Sequence, residues 1–298
     1  MEKGLTAIFP ELDFTEEQRD RLAHCVECPR QCGVNRFDVV GYCRTGVIPK
    51  VASVNLHYGE EPPISGDRGS GTVFLCGCNM SCLFCQNFPI SQLGHGRELT
   101  LEGFVDAMLG LESRGAHNIN FVTPSHATVL LEAIIPEARR RGLSVPIVYN
   151  SSGYDSIESL KRLDGLIEIY LPDIRYADAT VAEKLSDAPD YPNINSRALI
   201  EMHRQVGDLV LDDHGIAVRG MIVRHLVLPG GLANTESALD FIRREISPEA
   251  HVALMAQYFP AHNAQHTAEI DRRITRAEWR AAVDVFEASG LDGWAQEL

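Results

Sequence analysis

Beyond about residue 70 the chain alternates short apolar runs with segments whose apolar residues recur at helical spacing. The runs at 73–75, 119–122, 146–150, 167–171, 221–228 and 251–258 are nearly continuous in apolar character. That pattern is expected of parallel strands covered on both faces rather than of a half-exposed sheet. Between them, Leu101, Phe104, Val105, Met108 and Leu109 repeat at helical spacing behind Thr100, a residue suited to capping. Further helices are expected at 127–141, 156–162, 181–185, 196–206, 235–245 and 275–288.

Six strands, each followed by a helix, predict a parallel α/β sheet with right-handed crossovers. Eight such units close a full TIM barrel, and this chain is two short of it. An open doubly wound sheet is the alternative to a partial (β/α)6 TIM-like barrel, and the cysteine pattern described next favours the barrel. The stretch 1–66 is different: it is rich in turn residues, has little periodicity and carries half of the cysteines. It is expected to be a small Cys-rich N-terminal module on a barrel formed by 67–298.

Charge narrows the range of partners. A formal net charge of −14 argues against nucleic acid or an anionic membrane, since both select basic surfaces. The opening MEKGLTAIFPELDF has acids and no apolar core of signal-peptide length, and the apolar stretch 216–232 is interrupted by Arg219, Arg224 and Pro229. A cytoplasmic location is the expectation, and with it reduced cysteines. The eight cysteines fall into two clusters, which is the arrangement of ligands rather than of disulfides.

Cys78, Cys82 and Cys85 form C-x3-C-x2-C in the loop leaving the first strand. Three thiolates at this spacing can hold three corners of a [4Fe–4S] cube and leave one iron open, as catalytic metal sites do. Zinc, with Cys76 or a distant His as fourth ligand, and buried structural thiols are the competing readings. Cys76 itself is expected to be a buried strand-end thiol. Cys25, Cys28, Cys32 and Cys43 supply four thiolates, which suits a closed site. An auxiliary [4Fe–4S] cluster, structural zinc and unmetallated thiols are the alternatives there.

C-x3-C-x-F-C-Q-N resembles the signature of the radical S-adenosylmethionine (SAM) superfamily. The segments HYGEEPPISG, GSGTVFLCGCNMSCLFCQNFPIS, NINFVTPSH, YNSSGYD, IYLPDIRYAD, VRHLVLPGG and MAQYFPAH look like one branch of it, the uncharacterised homologues of pyruvate formate-lyase activating enzyme. The resemblance runs along essentially the whole chain. It implies that the cluster cleaves SAM reductively to a 5′-deoxyadenosyl radical, which takes hydrogen from a substrate. It also implies an electron donor such as flavodoxin or ferredoxin.

Residue roles follow from the same resemblance. The stretch 118–125 stands where the superfamily has a Gly-Gly-Glu-Pro run holding the methionine ammonium. Here Val122, Thr123, Pro124 and Ser125 lack that acid, so backbone carbonyls must take its place. Asn150, Ser151 and Ser152 match an Asp-Thr-Asn run that contacts SAM, and Asp173 and Arg175 match an Asp-x-Lys pair. Arg224, Pro229 and Gly230 match a segment beneath the adenosine. Phe84 can pack on the adenine, and Gln257 and His262 can line the substrate side. The substrate is either a glycine on a partner enzyme, which would receive a stable radical, or a small molecule for epimerase, mutase or lyase chemistry. A non-catalytic metal-binding scaffold is the reading from another class.

Overall fold

The computed structural model describes residues 13–298; residues 1–12 of the expected N-terminal module lie outside them. The chain begins with α1 (Glu16–Ala23), whose first turn is closed by Thr15 and Gln18 bonding each other's backbone amides. Strand β1 (Val51–His57) and the short helix α2 (Pro62–Ser65) come next. Then come β2 (Ser70–Leu75), α3 (Phe88–Ser91), α4 (Leu101–Ser113), β3 (Ile119–Val122), α5 (Thr128–Arg140), β4 (Ile147–Ser151), α6 (Ile157–Arg162) and β5 (Ile169–Pro172). The second half holds α7 (Ala179–Ser186), α8 (Tyr191–Val206), β6 (Val210–Leu211), β7 (Ala217–Leu226), α9 (Thr235–Phe241), β8 (His251–Met255), α10 (Arg276–Ser289) and β9 (Asp292–Ala295).

The sheet runs β1-β2-β3-β4-β5-β7-β8-β9 and does not close on itself. From β2 to β9 every neighbouring pair is parallel, while β1 is antiparallel to β2 and β6 forms a hairpin with β7. The six strands expected from the apolar runs are β2, β3, β4, β5, β7 and β8, an open α/β barrel with its helices outside. Two edge strands extend it. Residues 51–57, within the stretch set apart in the sequence, pair with β2 along its whole length. At the other edge, β9 joins β8 although Asp292, Gly293 and Ala295 are exposed. Backbone pairing and the half-buried Trp294, which packs on the inner apolar cluster, hold it there.

Two apolar bodies fill the fold. The larger lies between sheet and helices; α4, for instance, buries Leu101, Phe104, Val105, Met108 and Leu111, with Thr100 accepting from the Gly103 amide at 3.1 Å. The smaller is inside the barrel. There Ile64 of α2 meets Val148, Ile169, Leu171, Ile222 and Ala253, which point inward from four strands. Helix α2 thus plugs the lower end of the barrel, and Asn118 fixes it by donating to the Ile64 carbonyl at 2.8 Å.

The N-terminal segment is anchored by buried polar contacts. Glu27, 1% exposed, accepts from Thr128 at 2.7 Å on α5 and from Arg162 at 2.9 Å on α6. Arg36, 3% exposed, spends its guanidinium on the Gly46 carbonyl, the His126 carbonyl and the Thr45 hydroxyl at 2.7–2.9 Å. A buried cation that donates this fully carries little unpaid desolvation.

Candidate active site

Inward-facing positions on parallel strands are apolar at mid-barrel and become polar toward the carboxyl ends, where such barrels build their sites. A cavity of about 210 Å³ lies there. Cys78, Cys82, Phe84 and Cys85 of the loop after β2 line it, together with Thr123, Asn150, Ser151, Ser152, Asp173, Arg175 and Arg224 from the ends of β3, β4, β5 and β7. Gln86, Asn87, Leu228, Met255 and Gln257 are also among its lining residues.

Five of the positions named in the sequence reading, Pro124, Ser125, Pro229, Gly230 and His262, are not among the residues lining the cavity. Thr123 takes a left-handed backbone (φ 60°) and turns the chain after β3, so that Pro124 and Ser125 are buried behind the cavity wall. Ser125 sits beside Asp155, which accepts from Tyr149 at 2.7 Å and from Ser151 at 2.8 Å. His262 is outside the cavity lining and stacks on Phe88, with ring centroids 4.7 Å apart.

The cysteine loop is held from both sides. Cys76 is buried at the end of β2, as its position suggested. Gly77 follows at φ 85°, a conformation suited to glycine; a Cβ there would stand 2.5 Å from the Cys43 carbonyl oxygen. That carbonyl accepts from the Cys78 amide at 3.3 Å, so the N-terminal cysteine segment and the cavity loop touch backbone to backbone. Arg30 adds a bond to the Asn79 carbonyl at 2.8 Å. On the opposite side, the Ser81 and Leu83 amides donate to the Ser186 and Leu185 carbonyls at the end of α7.

Burial, then the neighbouring Cys82 sulfur, pushes the Cys78 thiol up to about 12, and the same two causes raise Cys85. Protein alone therefore leaves these thiols hard to ionise, and a cationic metal group would reverse that balance. The donor set suits an iron–sulfur cluster in this respect. In the N-terminal set, burial raises Cys25 and takes Cys28 to about 12, with Cys43, Cys25 and Cys32 each adding to the rise at Cys28. Cys25, Cys28 and Cys43 are buried and Cys32 is exposed. Among the described residues, no three His, Cys, Asp or Glu side chains converge tightly enough for a single metal ion.

Beneath the cavity lies a charged layer that sequence reasoning missed in part. Arg224 of β7 donates to Asp173 at 2.9 Å and to Asn150 at 2.7 Å, and it lies 3.7 Å from Glu60 and 4.0 Å from Glu61. Both glutamates come from the HYGEEPP segment that feeds α2 into the barrel. Burial raises Glu60 and takes Glu61 to about 7, against the pull of Arg224. Two adjacent acids before a Pro-Pro pair read as surface, and only the plug position of α2 turns them inward. Asp173 also binds Arg175 at 2.6 Å, and Arg175 in turn reaches the Cys82 sulfur at 3.3 Å.

No protein-family model matches the chain. An uncharacterized protein of Methanocaldococcus jannaschii is 30% identical over 284 residues, which is 93% of this chain and 78% of that protein. Among solved structures, Streptococcus suis SuiB bound to S-adenosylmethionine superposes with a TM-score of 0.50 at 10% identity, over 74% of this chain and 48% of SuiB. HydG, a maturase of the [FeFe]-hydrogenase, gives 0.50 at 12% identity over 77% of this chain and 52% of HydG. The matched region is about half the length of those two structures, and at such identities it is the fold that is shared. The chain belongs to one family with the Methanocaldococcus jannaschii protein, and its open barrel shares its fold with SuiB and HydG.

Proposed function

We propose that the chain is a radical SAM enzyme in which Cys78, Cys82 and Cys85 hold a [4Fe–4S] cluster. The observation that carries this is the meeting of three loop thiols with the polar ends of β4, β5 and β7 in one cavity. When bound, the cluster and SAM supply one-electron cleavage of the sulfonium and a radical able to take a hydrogen atom from a substrate.

The chain's own residues bind and orient. Asn150, Ser151 and Ser152 offer hydroxyl and amide groups to a ribose or an amino acid moiety. Asp173, 7% exposed, is fixed between two guanidiniums and presents its carboxylate without rotational freedom. Phe84 is held edge-on against Tyr258, with centroids 5.7 Å apart, and offers an apolar wall to an adenine. With the usual acid after β3 absent, the Thr123 turn leaves backbone groups to meet an ammonium. Gln86, Asn87 and Gln257 are uncharged and form the side from which a substrate hydrogen would be presented. The substrate is either a glycine of a partner protein, which the activating-enzyme resemblance suggests, or a small molecule. The missing acid after β3 and the added cysteine segment set this chain apart from activating enzymes. We further propose that Cys25, Cys28, Cys32 and Cys43 hold a second metal group, iron–sulfur or zinc.

Anaerobically reconstituted protein with reductant and SAM is expected to release 5′-deoxyadenosine and methionine. Changing any one of Cys78, Cys82 or Cys85 to Ala should abolish release. Cleavage that survives all three changes would rule out this site.

A further inference from the structure

Of the three cavity thiols, Cys82 has the most elaborate surroundings. It is 5% exposed, and its sulfur receives the Ser186 hydroxyl at 3.0 Å and an Arg175 N–H at 3.3 Å. Ser186 ends α7, whose last carbonyls accept from the amides on either side of Cys82. The Tyr176 hydroxyl, fully enclosed, lies 2.7 Å from the Ser186 oxygen. With the Ser186 proton directed at sulfur, Tyr176 is the donor to Ser186. Asp173 holds the Arg175 guanidinium in place. The Cys78 sulfur instead takes the Met80 amide at 3.4 Å, and that of Cys85 lies 3.2 Å from Ser91. The strongest donors thus converge on one of three otherwise equivalent ligands.

We propose that Arg175 and Ser186, with Tyr176 orienting Ser186, form a clasp on Cys82 that sets the reduction potential of the cluster. The inference rests on the cluster reading above. On reduction the cluster gains one electron from a low-potential one-electron donor, and no bond is made or broken in the clasp. The added negative charge spreads onto the ligand sulfurs. Donors aimed at a sulfur, a cation above all, stabilise the reduced form and make it easier to reach. All three are positioning residues, since they act through Cys82.

The test is a potentiometric titration of the full chain, reconstituted with iron and sulfide and followed by electron paramagnetic resonance. The signal that changes on adding SAM is the one tracked, which separates this cluster from any iron at the N-terminal cysteines. At the wild-type midpoint, Ser186→Ala should lower the ratio of reduced to oxidised cluster about threefold, the size of one ordinary hydrogen bond. Arg175→Met should lower it about tenfold, because the lost donor is charged. Tyr176→Phe should move it less and in the same direction, and Ser186→Thr, which keeps the hydroxyl, should restore it. If Arg175→Met fails to load iron, the serine pair decides alone. Full iron content with unmoved midpoints in Ser186→Ala would overturn the clasp while leaving the cluster reading intact. A wild-type chain that forms no SAM-responsive cluster would overturn both.

Discussion

Cys25, Cys28 and Cys43 are enclosed by turns and by the buried Arg36, whereas Cys78, Cys82 and Cys85 sit on a loop whose far side is a cavity. The two sets touch, through the Cys43 carbonyl and the Cys78 amide, yet they are built for different ends. Around the first, hydrogen bonds run from the protein back to itself, as between Cys25 and Val34 and between Gly33 and Cys25. Around the second, polar side chains from three strands face open space. A site that is closed in this way stabilises a fold, and one left open admits a ligand.

The sharpest way to break this contrast is a Cys78/Cys82/Cys85 triple alanine variant, in which SAM cleavage should vanish while the N-terminal set keeps its metal. Elemental analysis then identifies it, iron marking an auxiliary cluster and zinc a structural ion. Four freely titrating thiols with neither metal would make the N-terminal cysteines ordinary core residues. Next in size is Asp173→Ala, which leaves Arg175 and Arg224 without their shared carboxylate. Breaking a buried pair costs about 3–5 kcal/mol of stability, and SAM affinity should fall at least about tenfold with iron content unchanged. Calorimetric titration beside thermal unfolding separates the two effects, and unchanged affinity would assign Asp173 to the ion pair alone.

Cys32→Ala should be milder. If the proposed second metal group is held there, the change should remove one metal site and lower the unfolding temperature, since its binding energy would be folding energy, while cleavage partly survives. The smallest effect belongs to Glu61. Its carboxyl sits at about 7 in the fold, above its unfolded value, so the folded state holds the proton more tightly. Its contribution is fully present below the unfolded value and is lost as pH rises toward 7. Glu61→Gln mimics the protonated form. It should match wild type near pH 4 and be more stable, by an order of 1–3 kcal/mol, near pH 8. Equal unfolding curves at both pH values would contradict that burial.

What the sequence made legible has a physical pattern. The six inner strands announced themselves because burial on both faces demands unbroken apolar runs such as those of β4 and β5. Strand β9 gave no such signal, because Trp294 alone of its side chains packs on the core, and backbone bonds to β8 carry the rest. The cysteines stood out by their spacing, and Asn150 and Asp173 as polar residues ending apolar strands. Glu60, Glu61 and Ser186 did not. They reach the site through the placement of α2 and α7, which depends on contacts far along the chain. Ser125 is the reverse case: the left-handed turn at Thr123 leaves its side chain buried, away from the cavity lining.

The plug formed by α2 has a kinetic consequence. With Ile64 packed among the inner apolar side chains at the lower end, the proposed reactants would both have to come to the chamber from its other end. Two reactants that share one threshold cannot arrive independently: the deeper must enter first and leave last. Initial-rate kinetics should therefore show compulsory order, with excess of the outer reactant trapping the inner one behind it.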